Sequence, residues 1–263
     1  MKINLTLADY STQMAEKGWT ILDSAIDPDL VDAMAADLLK AWDVCSDIQR
    51  KNGVDHDADL TVHHLVGQQD SYLECIDQME PLMPYFKDYF EGNFILNSFG
   101  GAINTKIHTS YAQRVHRDIR SFSGDMPLML NTLIMLDDFT KANGATYMMS
   151  GSHKAEAKPT DEVFYENAEQ AVAPAGSILV FNSNVWHAGG NNTTDHQRRS
   201  VTPMFCKPFI KQQFDYPRAF GYERADDLMP HTRQILGYNA RVPATLDEWY
   251  QPPQNRMYKG DQG

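Results

Sequence analysis

Three short stretches of this chain carry side chains that could grip one metal ion between them. The first is His116-Arg117-Asp118. If residues 111–118 run as a strand, the two-residue period puts His116 and Asp118 on one face and Arg117 on the other. One imidazole and one carboxylate can then reach the same ion, although an H-x-D triplet alone recurs by chance. The second stretch, Trp186-His187-Ala188-Gly189-Gly190-Asn191, follows the apolar run 176–181 and brings a second imidazole 71 residues after His116. A jelly roll closes such a separation by stacking its two sheets. Two histidines and one carboxylate on one face of an octahedron make a non-haem Fe(II) site, with open positions for a bidentate co-substrate and O2. The third stretch is Arg198-Arg199-Ser200. On a strand Arg198 and Ser200 share a face. A guanidinium fork beside a hydroxyl is a good clamp for a carboxylate, because arginine offers two parallel charge-assisted hydrogen bonds.

The elements that must position these side chains can be read from patterning. Asp27-Pro28 starts a helix, with a capping carboxylate followed by proline where its missing N–H costs nothing. Leu30, Met34, Leu38, Ala41, Cys45 and Ile48 then recur at helical steps, and Lys51-Asn52-Gly53 closes the element. Residues 70–91 read as helical, broken at Pro81 and Pro84. From residue 92 the texture changes to short apolar runs at 93–97, 129–136, 145–149, 177–181 and 200–205. Gly100-Gly101, Gly124, Asn143-Gly144, Pro174-Ala175-Gly176 and Gly189-Gly190-Asn191-Asn192 punctuate them. The expected fold is mainly β with flanking helices, a cupin-like jelly roll (double-stranded β-helix). A single domain over 1–263 is expected, with a mostly helical part at 1–91, the jelly-roll core at 92–208 and a C-terminal extension at 209–263.

Composition narrows the class. The chain has 263 residues and a formal net charge of −12, which argues against nucleic-acid binding and against adhesion to anionic lipid. No apolar run approaches the roughly 18–20 residues of a membrane span, and the start lacks a secretory signal. Three cysteines, Cys45, Cys75 and Cys206, form no C-x-x-C pair and read as reduced thiols in a cytoplasmic protein. A homo-oligomer is left open.

The ordered set resembles the phytanoyl-CoA dioxygenase family. It comprises His116-Arg117-Asp118, Asn143-Gly144-Ala145-Thr146 leading to Gly151-Ser152-His153, Pro174-Ala175-Gly176-Ser177, His187 and Arg198-Arg199-Ser200. The resemblance implies Fe(II), 2-oxoglutarate and O2 as cofactor and co-substrates. It implies His116, Asp118 and His187 as iron ligands and as the catalytic centre. Arg198, assisted by Ser200, would hold the distal carboxylate of 2-oxoglutarate, with Thr146, Gln113 and Asn131 as further contacts. Leu133 departs from relatives that carry tryptophan there. Related halogenases lack the carboxylate ligand; with Asp118 present, hydroxylation is the default. The expected substrate is a small molecule, an intermediate of secondary metabolism, met by residues of the N-terminal helices, 55–75 and the tail. Desaturation, cyclisation or epimerisation by the same chemistry are the alternatives.

Other readings stand beside this one. A cupin-like binding protein or a zinc or manganese isomerase would collect three histidines and a glutamate and would not place an arginine after the last ligand. A Ser-His-Asp hydrolase lacks its G-x-S-x-G elbow. His153 reads as part of a structural turn. His56, His63, His64, His108, His196 and His231 read as surface or hydrogen-bonded, and Asp55-His56-Asp57-Ala58-Asp59 as a solvated loop. Met129, Met148 and Met149 read as core filler. Trp186 could shield His187, and Arg117 or Arg120 could meet an anionic substrate.

Overall fold

The computed structural model describes residues 1–54, 61–107 and 111–260. His56, His108 and the acidic run at 55–59 lie outside the described residues. After α1 (Leu7–Glu16) and β1 (Trp19–Leu22), Asp27 caps α2 (Pro28–Lys51), its carboxylate accepting from the Asp29 amide at 3.0 Å. Leu30, Met34, Leu38 and Ala41 are buried. Beyond them the stripe leaves the core, with Cys45 half-buried and Ile48 52% exposed. β2 (Thr61–Val62), α3 (Asp70–Asp77) and α4 (Met83–Phe90) follow. Pro84 does not break a helix: it stands in the first turn of α4, where a missing N–H is harmless.

The β body begins with β3 (Ile95–Asn104) and β4 (Met129–Met135), followed by β5 (Tyr147–Met148), α5 (Asp161–Asn167) and β6 (Glu169–Gln170). It ends with β7 (Ile178–Asn182), β8 (His187–Ala188) and β9 (Arg198–Cys206). Six strands form an antiparallel sheet in the order β1-β7-β4-β9-β3-β2, and a smaller sheet runs β6-β5-β8. This is the jelly roll expected from the sequence. The glycines at 100 and 101, expected to mark a turn, lie inside β3. A Cβ on Gly101 would stand 2.5 Å from Leu38 Cδ1, so the bare backbone is what lets α2 lie against the sheet. The N-terminal part also supplies β1 and β2, pairing with β7 and β3. Runs of four and two residues are too short to show alternation.

Strands β4, β7 and β9 of the large sheet alternate, while β3 carries a register shift between Leu96 and Ser98. Leu130, Ile134, Ile178, Val180, Val201 and Phe205 join the helices in one buried cluster that runs from Tyr10 to Tyr238. On the opposite face Met135, Leu179 and Phe181 pack with Ala145 and Met148 of the smaller sheet's side, with Leu133 partly buried against them. Asn131, Arg198 and Ser200 share this inner phase. The outer side of the smaller sheet is closed by Val115, Phe164 of α5, Trp186 and Ala188.

Candidate active site

The strand expected over residues 111–118 is not formed. Tyr111–Gln113 is a 3-10 turn, and only His116 pairs, as an isolated antiparallel bridge with His187. That bridge is enough. Asp118 Oδ1 lies 3.5 Å from His116 Nε2, Asp118 Oδ2 lies 3.5 Å from His187 Nε2, and the two rings stand 4.3 Å apart. Ligand atoms of all three fall within 4.8 Å of one another, the one such group of metal-capable side chains among the described residues.

Each side chain is steered from behind. His116 Nδ1 faces the Arg114 carbonyl at 2.6 Å and His187 Nδ1 faces the Val185 carbonyl at 3.0 Å. A carbonyl oxygen only accepts, so each Nδ1 carries the hydrogen and each Nε2 lone pair points into the cluster. Burial pulls the His187 imidazole down to about 4, against the charge of Asp118, so this ring is neutral and ready to ligate near pH 7. Burial pulls His116 the same way but is outweighed by Asp118 and the Arg114 carbonyl, leaving it raised. For Asp118 burial raises the carboxyl, and His187, His116 and Asn131 together pull it below its ordinary value.

Arg198 and Ser200 are 5% and 1% exposed. The guanidinium lies 4.1 Å above the Phe139 ring and donates from Nη1 to the Gly144 carbonyl at 2.6 Å. Its Nε, also buried, has no partner among the described residues, and no carboxylate is paired with it there. Burial drags this cation down to about 10, opposed by the charge of Asp137, a carboxylate whose hydrogen bonds go to Arg199. A buried charge without a counter-ion is costly, so the cradle suits an anion with planar oxygens. Gly144 makes it possible: its φ is +80°, and a Cβ would lie 2.2 Å from the Gly190 carbonyl oxygen. Arg199 points to the other face, its guanidinium bidentate on Asp137 at 2.7 and 3.0 Å.

A sequence model of the phytanoyl-CoA dioxygenase (PhyH) family matches residues 14–200. The chain belongs to the PhyH family. An uncharacterised Mycobacterium tuberculosis protein, Rv1501, is 35% identical over 175 residues, covering 66% of this chain and 63% of that one. The chain thus spans less than two thirds of that curated relative. The iron/alpha-ketoglutarate-dependent dioxygenase ausU of Aspergillus calidoustus is 30% identical over 153 residues, 54% of this chain and 50% of its own. The crystal structure of SnoN, a non-haem alpha-ketoglutarate-dependent epimerase from nogalamycin biosynthesis, superposes with a TM-score of 0.56 at 15% identity, covering 76% of this chain and 80% of that one. That likeness is one of fold. No helix among the described residues is long and apolar enough to cross a membrane.

The remaining PhyH-like positions fall as follows. Thr146 is 4% exposed and precedes Tyr147, which faces the outer cluster, so alternation turns Thr146 inward. Gln113 ends its 3-10 turn beside Gly189, where a Cβ would stand 3.6 Å from its Cγ. Asn131, read from the resemblance as a 2-oxoglutarate contact, donates its amide to Asp118 Oδ2 and accepts from Ser183 Oγ at 2.7 Å. The ring at His187 is Phe181, edge-on at 4.9 Å; Trp186, just before β8, packs with Ala188 in the outer cluster and lies under Arg117 at 4.1 Å. Arg117 also donates to the carbonyls of Ala155 and Glu156, while exposed Arg120 borders a cavity of about 680 Å³ with His116 and Lys158. His153 sits in the turn Ser152–Lys154 against Gly18; His231 bonds the Asp77 carbonyl; His64 stacks on Phe214 at 4.7 Å; His196 is exposed. Phe139, Phe181, Ser183 and the carbonyls of Arg114 and Val185 escaped the sequence reading. Only the inward phase of Phe181 could have signalled any of them.

Proposed function

We propose that this protein is an Fe(II)- and 2-oxoglutarate-dependent dioxygenase that hydroxylates a C–H bond of a small molecule. His116 Nε2, His187 Nε2 and an oxygen of Asp118 would hold the iron. Arg198, with Ser200 and Thr146 near it, would seat the distal carboxylate of 2-oxoglutarate, and Gln113 would stand at the edge of the same space. The observation that carries this reading is the buried Arg198 guanidinium, which has no ion-pair partner among the described residues and stands on the face of the large sheet turned toward the smaller sheet that carries His187. A dicarboxylic keto acid supplies both the missing counter-ion and a bidentate metal donor.

Iron bound there would supply the activation of O2, with one oxygen atom going to the substrate carbon and the other to succinate as CO2 leaves 2-oxoglutarate. The chain's own residues do the rest. The carbonyls behind His116 and His187 fix both tautomers. Phe139 and Phe181 keep water from the two charged ends of the site. Asp118 fills the position a halide would need, which favours hydroxylation over halogenation. The PhyH relatives named as dioxygenases, and the biosynthetic setting named for SnoN, support a secondary-metabolite intermediate as substrate. The apolar cluster shared by the N-terminal helices, the large sheet and Tyr238 supports treating 1–263 as one unit.

The test is succinate release by Fe(II)-loaded enzyme across a panel of small-molecule substrates, with mass spectrometry of the products. A substrate-dependent rise in succinate with a product heavier by one oxygen atom supports hydroxylation. A product lighter by two hydrogens, or of unchanged mass and inverted centre, places the enzyme among the desaturating or epimerising members. Fe(II)- and 2-oxoglutarate-independent turnover would refute the proposal.

A further inference from the structure

Two of the three clustered side chains are steered by backbone carbonyls; the third is not. Asp118 accepts at Oδ2 from the Asn131 side-chain amide, and Asn131 Oδ1 accepts in turn from Ser183 Oγ. Both Asn131 and Ser183 are 1% exposed. Asn131 is clamped in the middle of β4, opposite Phe181 of β7 and Met204 of β9, so its backbone has no freedom to follow Asp118. An asparagine amide can present either its oxygen or its NH2 group to a neighbour. The Ser183 hydroxyl, donating to Oδ1, selects the orientation in which the NH2 group faces the carboxylate.

We infer that Asn131, its amide set by Ser183, is a positioning residue that holds Asp118 as a ligand through a single oxygen. This deepens the proposed function and rests on it. The amide occupies one lone pair of Oδ2, the oxygen that also lies 3.5 Å from His187 Nε2, so Oδ1 is the freer oxygen for an ion shared with the histidines. The amide thereby resists rotation of the carboxylate and disfavours its closing on the metal through both oxygens, which would consume a coordination position that 2-oxoglutarate and O2 require. The turn that carries Ser183 does more. The Ser183 carbonyl accepts the Ile119 amide at 3.3 Å, and the Val185 carbonyl takes His187 Nδ1. One short turn after β7 therefore governs the carboxylate through Asn131, the backbone just after that carboxylate, and the distal imidazole.

Partners of this kind behind metal ligands typically change affinity by about 10–100-fold when removed. The probe is Mn(II), which binds such sites without being oxidised, titrated calorimetrically into metal-free full-length protein. 2-Oxoglutarate is then titrated at saturating Mn(II). Asn131→Leu keeps the volume and removes the amide. It is expected to weaken Mn(II) binding about 10–100-fold while 2-oxoglutarate affinity at saturating metal stays at the wild-type value. Ser183→Ala is expected to shift Mn(II) affinity in the same direction by less, and Ser183→Thr, which keeps the hydroxyl, to recover most of it. Unchanged Mn(II) affinity in Asn131→Leu, or a loss confined to 2-oxoglutarate, would overturn the inference and return Asn131 to the co-substrate. Should circular dichroism find Asn131→Leu unfolded, the serine pair decides, and equal affinities in Ser183→Ala and wild type overturn it. Wild-type protein that takes no Mn(II) at all would instead sink the proposed function itself.

Discussion

His116 and His187 exchange both hydrogen bonds of a single antiparallel bridge, amide to carbonyl at 3.0 Å one way and 2.9 Å the other. Residues 71 apart in the chain are thereby fixed at the spacing of neighbouring strands, and their imidazoles emerge on the same side. The positions come from backbone pairing, not from the side chains. Single replacements His116→Ala, Asp118→Ala and His187→Ala are therefore expected to abolish metal binding and 2-oxoglutarate turnover while leaving the far-ultraviolet spectrum of the metal-free protein unchanged. Loss of fold in all three would contradict this.

Arg198 and Arg199 are adjacent and opposite in role. Arg198→Ala removes the cation from the inner cradle, and the dissociation constant of 2-oxoglutarate is expected to rise roughly 10–100-fold, the worth of about 1.5–3 kcal/mol for charge-assisted hydrogen bonds. Arg199→Ala breaks the bidentate pair with Asp137 beside α2, where the Ala35 carbonyl also accepts. It should lower stability by about 1–2 kcal/mol, discounted for partial exposure, and leave 2-oxoglutarate affinity alone. Isothermal titration and thermal melts separate the two; equal losses of co-substrate affinity would contradict the alternation of β9.

That alternation was legible in the sequence, as were the H-x-D spacing, the second histidine and the β body. Each follows from a local period or a short motif. What was not legible depends on distant partners. Gly100 and Gly101 look like a turn until α2 is laid against β3 and Leu38 claims the space. His116 and Asp118 need no strand of their own once His187 supplies the bridge. Asn131 looks like any inward polar residue on β4; its attachment to Asp118 is fixed by Ser183, 52 residues on, which no motif marks. Trp186 was expected beside His187 because the two are adjacent, but it packs into the outer cluster with Val115 and Phe164.

Gly144 links the cradle to the backbone. It adopts φ +80°, and its carbonyl receives Arg198 Nη1. Gly144→Ala would drive a methyl into the Gly190 carbonyl and impose a conformation that L-residues resist, at a cost of about 1–2 kcal/mol for the backbone alone. Lower thermal stability together with weaker 2-oxoglutarate binding is expected. Wild-type affinity in a destabilised variant would uncouple the turn from the cradle.

Burial pushes the thiols of Cys75 and Cys206 up to about 12, and raises that of half-buried Cys45 as well. The thiolate is the reactive form, and with a pKa near 12 only about one molecule in 10⁴ carries it at pH 8. Native protein treated with iodoacetamide is expected to label at Cys45 at most, at a rate still climbing above pH 9, with Cys75 and Cys206 labelled only after unfolding. Peptide mass mapping reads this directly, and rapid labelling of Cys206 in the folded protein would contradict it.

Anaerobic addition of Fe(II) and 2-oxoglutarate to the metal-free protein tests the centre most directly. A weak visible metal-to-ligand charge-transfer band, saturating at one iron per chain, lost in Asp118→Ala and developing in Arg198→Ala only at roughly 10–100-fold higher 2-oxoglutarate, is the expected result. A wild-type protein that develops no band, or one that persists in Asp118→Ala, would contradict the shared site.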